Sequence, residues 1–205
     1  MEPKDNKRLF LFLIFCILLA AGFLAVLFWG GNTTVTNTFT MGRVEITMDE
    51  SAVTVWGEKN GTGRVMGNTY KLVPGRTYIQ DPTIHVSQDS EDCWLFVKVV
   101  NNIADIEAEG DTAIAAQMAG NGWNLLAGTT DIYALATPVS AGTEVVVFSS
   151  FTIQGESRAD TDRGSGAVHR YESQAVVLTA YAVEADGYST APAAWEDSFG
   201  QSADS

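Results

Sequence analysis

A chain of 205 residues, 46% hydrophobic and 18% charged, has the composition of a globular protein and room for one sizeable domain, which excludes wholesale disorder. Its formal net charge is −13, and the charge is unevenly placed: Lys4, Lys7 and Arg8 precede a hydrophobic segment, and nine basic residues face 23 acidic ones in the rest. So acidic a domain is repelled by DNA, RNA and anionic lipid surfaces, which excludes nucleic-acid binding as a main role.

Leu9 to Trp29 is a run of 21 residues without a charge. As a helix it spans about 31 Å, the thickness of a bilayer core. The basic residues before it place the N-terminus in the cytoplasm and everything after Gly30 outside. Residues 1–29 therefore read as a signal peptide or a membrane anchor, and membrane contact is expected only through residues 9–29. The choice between the two stays open. The run is longer than a usual signal-peptide core, Ala20-Ala21-Gly22 sits inside it, and Gly30-Gly31-Asn32-Thr33 lacks a clean Ala-x-Ala. Cys16 lies in this segment and Cys93 in the domain, so no disulfide framework is expected. Leu13-Ile14-Phe15-Cys16 lacks the small residues of a lipobox. Cys93 falls in an apolar run and reads as a small core residue.

Residues 30–41 read as an extended linker or a free N-terminal strand. From Val44 the alternation Val-Glu-Ile-Thr-Met is that of a half-buried strand, and Ser51 to Trp56 extends it. Gly57 to Asn68, rich in Gly and Asn, predicts a loop. Tyr70 to Gly75 predicts a short strand closed by a Pro74-Gly75 type II turn. Thr77–Ile79 and Thr83–Val86 predict strands split by Asp81-Pro82, and Asp89 to Asp92 a polar turn. Cys93 to Val100 is nearly continuous in apolar residues and suits a central strand. Asp111 is placed to cap a helix with Ile114, Ala115 and Met118 on one face, ended by Gly120. Short strands follow at Trp123–Leu126 and Asp131–Ala136, then a turn at Pro138–Thr143 and a long strand at Glu144–Ile153. Residues 154–168 form a polar loop, and Tyr171 to Val183 carries another strand. Pro192 to Phe199 reads as an amphipathic turn of helix with Trp195 and Phe199 four apart. Residues 200–205 are a polar tail.

The fold class expected is all-β: an antiparallel sandwich over residues 42–199, of jelly-roll topology, with one short inserted helix and an N-terminal hydrophobic helix before it. Little catalytic chemistry is visible. His85 and His169 have no metal-ligand partner at His-Glu-x-x-His spacing, and His85 alternates with Ile84 and Val86 as a structural residue would. A Ser/His/Asp triad is open on composition, but there is no Gly-x-Ser-x-Gly elbow and no phosphate-binding glycine loop. Asp160 and Asp162 resemble the start of a calcium loop that lacks its third acidic position and its terminal Glu. They are the only calcium candidates, and no other cofactor is expected.

Several blocks together resemble a known family. Thr36 to Glu50 is similar to the opening of the TasA/camelysin family, exported proteins of Gram-positive bacteria with SipW-type signal peptides. Tyr70 to Gly75 followed by Asp81 to Val86, then Ser90 to Val99, resemble the next blocks. Asn121-Gly-Trp123, Val147-Phe148, Phe151-Thr-Ile153 and Ala180 to Val183 with Ala185 to Tyr188 complete a similarity over most of residues 36–199. The resemblance implies a jelly roll and a role as a secreted subunit of cell-surface biofilm fibres, with signal peptidase as a partner during export. It also implies that a segment within about Gly31 to Met41, here Thr34, Val35, Thr36, Asn37, Thr38 and Phe39, donates a strand to the next copy. Such a head-to-tail contact does not close and propagates as a filament. The alternative is a membrane-anchored extracellular adhesion domain. A third reading, a metallopeptidase, follows from the label camelysin carries; with no metal-ligand constellation in the sequence, the expectation is a protein that is not an enzyme.

Overall fold

The computed structural model describes residues 38–40, 43–155 and 176–200. The segment Leu9–Trp29, Cys16, the residues Thr34 to Asn37, Met41, Asp160, Asp162, His169 and the tail 201–205 lie outside the described residues. Among the described residues the order is β1 (Thr38–Thr40), β2 (Ile46–Val53), β3 (Lys59–Val65), β4 (Thr77–Ile79), β5 (Thr83–Val86), β6 (Cys93–Asn101), α1 (Ile114–Gly120), β7 (Trp123–Leu125), β8 (Ile132–Leu135), β9 (Glu144–Val146), β10 (Ser150–Thr152), β11 (Val176–Glu184) and α2 (Ala191–Phe199). The strands form a five-stranded sheet, β1-β11-β6-β8-β7, a four-stranded sheet, β3-β2-β5-β9, and a β10-β4 ribbon. Every pairing is antiparallel except β1 on β11, so the all-β antiparallel expectation holds.

Alternation decides which side chains meet. Val44, Ile46 and Met48 leave one face of β2, and Ile84 and Val86 leave β5 beside them. They join Leu95, Val97 and Val99 of β6 and Leu178 of β11 in one core between the two large sheets. Each such side chain stabilises the fold by roughly 1.5–3 kcal/mol through burial. The intervening residues of β6, Trp94 and Phe96, point to the opposite face, where α2 lies over them with Ala191, Ala194, Trp195 and Phe199. This explains why Cys93 to Val97 is apolar without interruption: β6 is buried on both sides. The four-residue spacing of Trp195 and Phe199 puts their rings 4.7 Å apart, and Phe96 sits 5.1 Å from Trp195. Helix α2 is a full element rather than a single turn. Thr190 caps it by accepting from the Ala193 N–H, and Pro192 stands in its first turn.

Four local expectations are corrected. Residues 57–68 are not a plain loop: Lys59–Val65 is β3, an exposed edge strand paired to β2. An edge strand needs only main-chain pairing, so its composition stays polar. Tyr70 to Gly75 is not a strand. The Tyr78 hydroxyl replaces the ladder there, accepting from Val73 N–H at 2.7 Å and donating to Lys71 C=O at 2.6 Å. The Pro74-Gly75 turn is present, with Gly75 at φ 76° and Arg76 N–H on Val73 C=O. The long strand Glu144–Ile153 is divided into β9 and β10, yet its register is unbroken. Between the pairs Thr83–Val146 and Ser150–Ile79, three residues stand on each side. Val147 N–H donates to Pro82 C=O, and Pro82, having no N–H, cannot answer. Finally, Asp111 does not cap α1. Its N-cap is Ala113, Ala115 is exposed rather than inward, and Gly120 is helical, with Gly122 at φ 88° turning the chain beyond it.

Candidate functional site

The N-terminal strand defines the first place of interest. β1 lies parallel on the outer edge of β11, with Thr38 opposite Ala180, Phe39 opposite Tyr181 and Thr40 opposite Ala182. It covers three positions of a nine-residue strand, and no other described strand lies on that edge. The core-facing residues of β11 run Val176, Leu178, Ala180, Ala182, and both alanines are fully buried. The small side chains therefore fall where β1 joins. Of the six residues expected to form a donor strand, Thr38 and Phe39 are in β1, and Thr34, Val35, Thr36 and Asn37 lie outside the described residues.

The second place is the open face of the four-stranded sheet. A row of charged side chains crosses it in strand order. Arg64 of β3 reaches Asp49 of β2 at 2.5 Å. Asp49 meets His85 Nε2 of β5 at 2.8 Å, and His85 Nδ1 lies 3.2 Å from Glu144 of β9. Period-two alternation makes this possible, because Asp49 and His85 leave the face opposite to the core residues Met48 and Ile84. Burial alone raises the pKa of Asp49, but the hydrogen bonds and charges of Arg64 and His85 outweigh it and hold the group below its ordinary 3.8. Both ring nitrogens of His85 face carboxylates, which makes it a link between strands rather than a base aimed at a hydroxyl.

Two carboxylates are buried. Glu50 is 5% exposed and accepts from Asn68 Nδ2 at 2.8 Å. Its burial pushes its pKa up, partly offset by hydrogen bonds from Asn68 and Gln80. Asn68 also ties β2 by donating to Ser51 C=O and accepting from Val53 N–H. Glu107 accepts from Ile114 N–H at 2.6 Å and Asn101 Nδ2 at 2.7 Å. Sequence pattern singled out neither residue, since nothing local marks a glutamate that long-range packing will cover. Cys93 is a buried free thiol, its pKa pushed up to about 11 by burial and then by Asp92. Among the described residues no group of three or more His, Cys, Asp or Glu side chains is arranged to hold a metal ion, and no helix is long and apolar enough to cross a membrane. No protein-family model, curated protein or solved structure matches this chain.

Proposed function

We propose that this chain is an exported structural subunit of an extracellular surface filament or biofilm matrix fibre, a jelly roll of the TasA/camelysin type that polymerises by donor-strand exchange. The observation that carries the reading is β1. A three-residue N-terminal strand, parallel where every other pair is antiparallel, occupies the edge of β11 beside two buried alanines. A strand added to an edge gains main-chain hydrogen bonds whichever copy supplies it, and alternate side chains give it specificity. The edge β1 occupies within one chain is thus the edge a neighbouring copy would fill in a filament, with residues Thr34 to Phe39 as donor. Strand pairing that does not close on itself propagates.

The hydrophobic segment Leu9–Trp29 decides between this and the second reading, a membrane-anchored extracellular adhesion domain. Removed after export, it frees the donor; retained, it tethers the sandwich to the membrane. Mass spectrometry of the native N-terminus separates the two, because an intact Met1 in the membrane fraction means an anchor. Deleting residues 31–41 from the processed protein is expected to abolish filaments seen by electron microscopy while circular dichroism still reports a folded β protein. Filaments that persist after the deletion defeat the donor-strand reading.

A further inference from the structure

The sandwich has two unlike ends. At one end lie Glu45, before β2, the turn carboxylates Asp89, Glu91 and Asp92, and Glu184 and Asp186 at the end of β11. They are brought together by main-chain bonds: Ser87 N–H donates to Glu45 C=O and Ala185 N–H to Asp92 C=O, while Glu184 pairs with Cys93. Arg43 joins them, bonded to Glu91. The far end of β2 is different. Roughly 25 Å along the strand, at about 3.3 Å per residue, Val53 pairs with Lys59, Lys71 N–H donates to Val55 C=O, and Arg76 Nε donates to Trp56 C=O.

That second end concentrates two things the rest of the chain lacks. From Lys59 to Gln80 there are four basic residues and no acidic one, in a protein of net charge −13. Arg64 is spent on Asp49, but Lys59, Lys71 and Arg76 surround the Trp56 end, with Glu58 bonded to Arg76. Lys71 Nζ lies 5.1 Å and the Arg76 guanidinium 5.4 Å from the Trp56 ring centre, so the indole holds two cations beside it. Val55 is 47% exposed, and Trp56 and Val73 37% each, so apolar surface accompanies the charge.

We propose that the Trp56 end of one copy docks on the acidic end of the next. Charge complementarity selects a second copy as the occupant, since the same chain presents both signs at opposite ends of its long axis strand. A contact between two different patches of one chain is head-to-tail and extends without closing. This inference rests on the filament reading above and adds a second contact to it, one that steers and aligns copies before strand exchange; opposed charge patches raise encounter rates and fix register.

The test uses charge swaps in the protein as its host exports it. One variant carries K59E and K71E, the other D89K and D92K; Lys59, Lys71, Asp89 and Asp92 are all exposed. Each variant alone is expected to associate at least tenfold less well than wild type in sedimentation velocity at low salt, because it has two like ends. A one-to-one mixture is expected to recover association, each variant's native end meeting the other's. Wild-type association is expected to weaken between about 0.05 and 0.5 M salt, as screening requires. Variants that keep the wild-type circular dichroism yet associate normally, or a mixture that does not recover, overturn the proposal. If the swaps unfold the chain, K59Q with K71Q gives the same reading through a smaller loss. Binding of wild type to anionic vesicles, lost in the K59E/K71E variant without any change in self-association, also overturns it in favour of a membrane surface. Filaments that vanish on deleting residues 31–41 but ignore the charge swaps leave the filament reading standing and remove only this contact.

Discussion

The carboxylate of Glu107 accepts the main-chain N–H of Ile114 at 2.6 Å and so satisfies the start of α1 from outside the helix. The first N–H groups of a helix have no partner within it, and Ala113 at the N-cap offers no side-chain acceptor. Glu107 supplies one from a segment that also bridges to Ile153 of the strand ribbon. The helix is therefore fastened to the sandwich by a buried hydrogen bond as well as by Ile114 and Met118.

Glu107→Ala is expected to cost about 2–3 kcal/mol, because it leaves both Ile114 N–H and Asn101 Nδ2 without their buried acceptor. Glu107→Gln keeps an acceptor and is expected to lose less than half of that. Urea unfolding of the two variants side by side checks the order.

Glu50 governs part of the pH response. Its folded pKa is raised above the ordinary 4.5, so the folded state holds its proton more tightly than the unfolded state. The contribution is favourable below 4.5 and is lost as pH rises through the raised value. Glu50→Gln is therefore expected to remove a decline in stability above pH 4.5 and to leave the unfolding midpoint at pH 7 no lower than wild type. A midpoint clearly lower at pH 7, with the decline intact, contradicts this account.

Asp49 works in the opposite sense. Its folded pKa lies below 3.8, so its contribution is present above that value and lost as pH falls through the depressed one. Asp49→Asn is expected to flatten the stability curve below pH 4 and to loosen β3 at Arg64 and β5 at His85. Hydrogen exchange at the β2–β3 and β2–β5 pairs, compared with wild type, reads the loosening directly.

Gly57 is required by geometry. It sits at φ 74°, and a Cβ placed there would lie 2.7 Å from the Tyr78 backbone. Backbone cannot yield as a flexible side chain does, and positive φ adds strain for any other residue. Gly57→Ala is expected to destabilise by about 2–4 kcal/mol in chemical denaturation, whereas Gly61→Ala, also at positive φ but with open space around it, is expected to cost only about 1 kcal/mol.

Trp195 holds the outer layer. Its ring meets Phe96, Tyr181 and Phe199. Trp195→Ala is expected to cost about 2–4 kcal/mol and to expose the Trp94–Phe96 face, seen as binding of an apolar dye by a protein that keeps its far-ultraviolet β spectrum.

Much of the fold was legible in local pattern. The alternation at Val44 to Met48, the unbroken apolar run from Cys93, the Pro74-Gly75 turn and the Trp195–Phe199 spacing each state which way neighbouring side chains must point. That is a property of the backbone period, and it survives into any tertiary context. The division of Glu144–Ile153 was half legible, since its register continues and only Pro82, on the partner strand, interrupts the ladder.

What the sequence by itself determined is the segment Leu9–Trp29, apolar and preceded by positive charge, and a β-rich acidic chain behind it. The tertiary structure alone decided that polar Lys59–Val65 is a strand, that Glu50 and Glu107 are buried, that Arg64, Asp49, His85 and Glu144 form one row, and that Thr38–Thr40 rest on β11. The physical reason is range. A residue's own periodicity reports which face it leaves. Its partner, 36 residues away for Asp49 and His85 and 142 for Phe39 and Tyr181, is chosen by sheet order and register, which no local window contains.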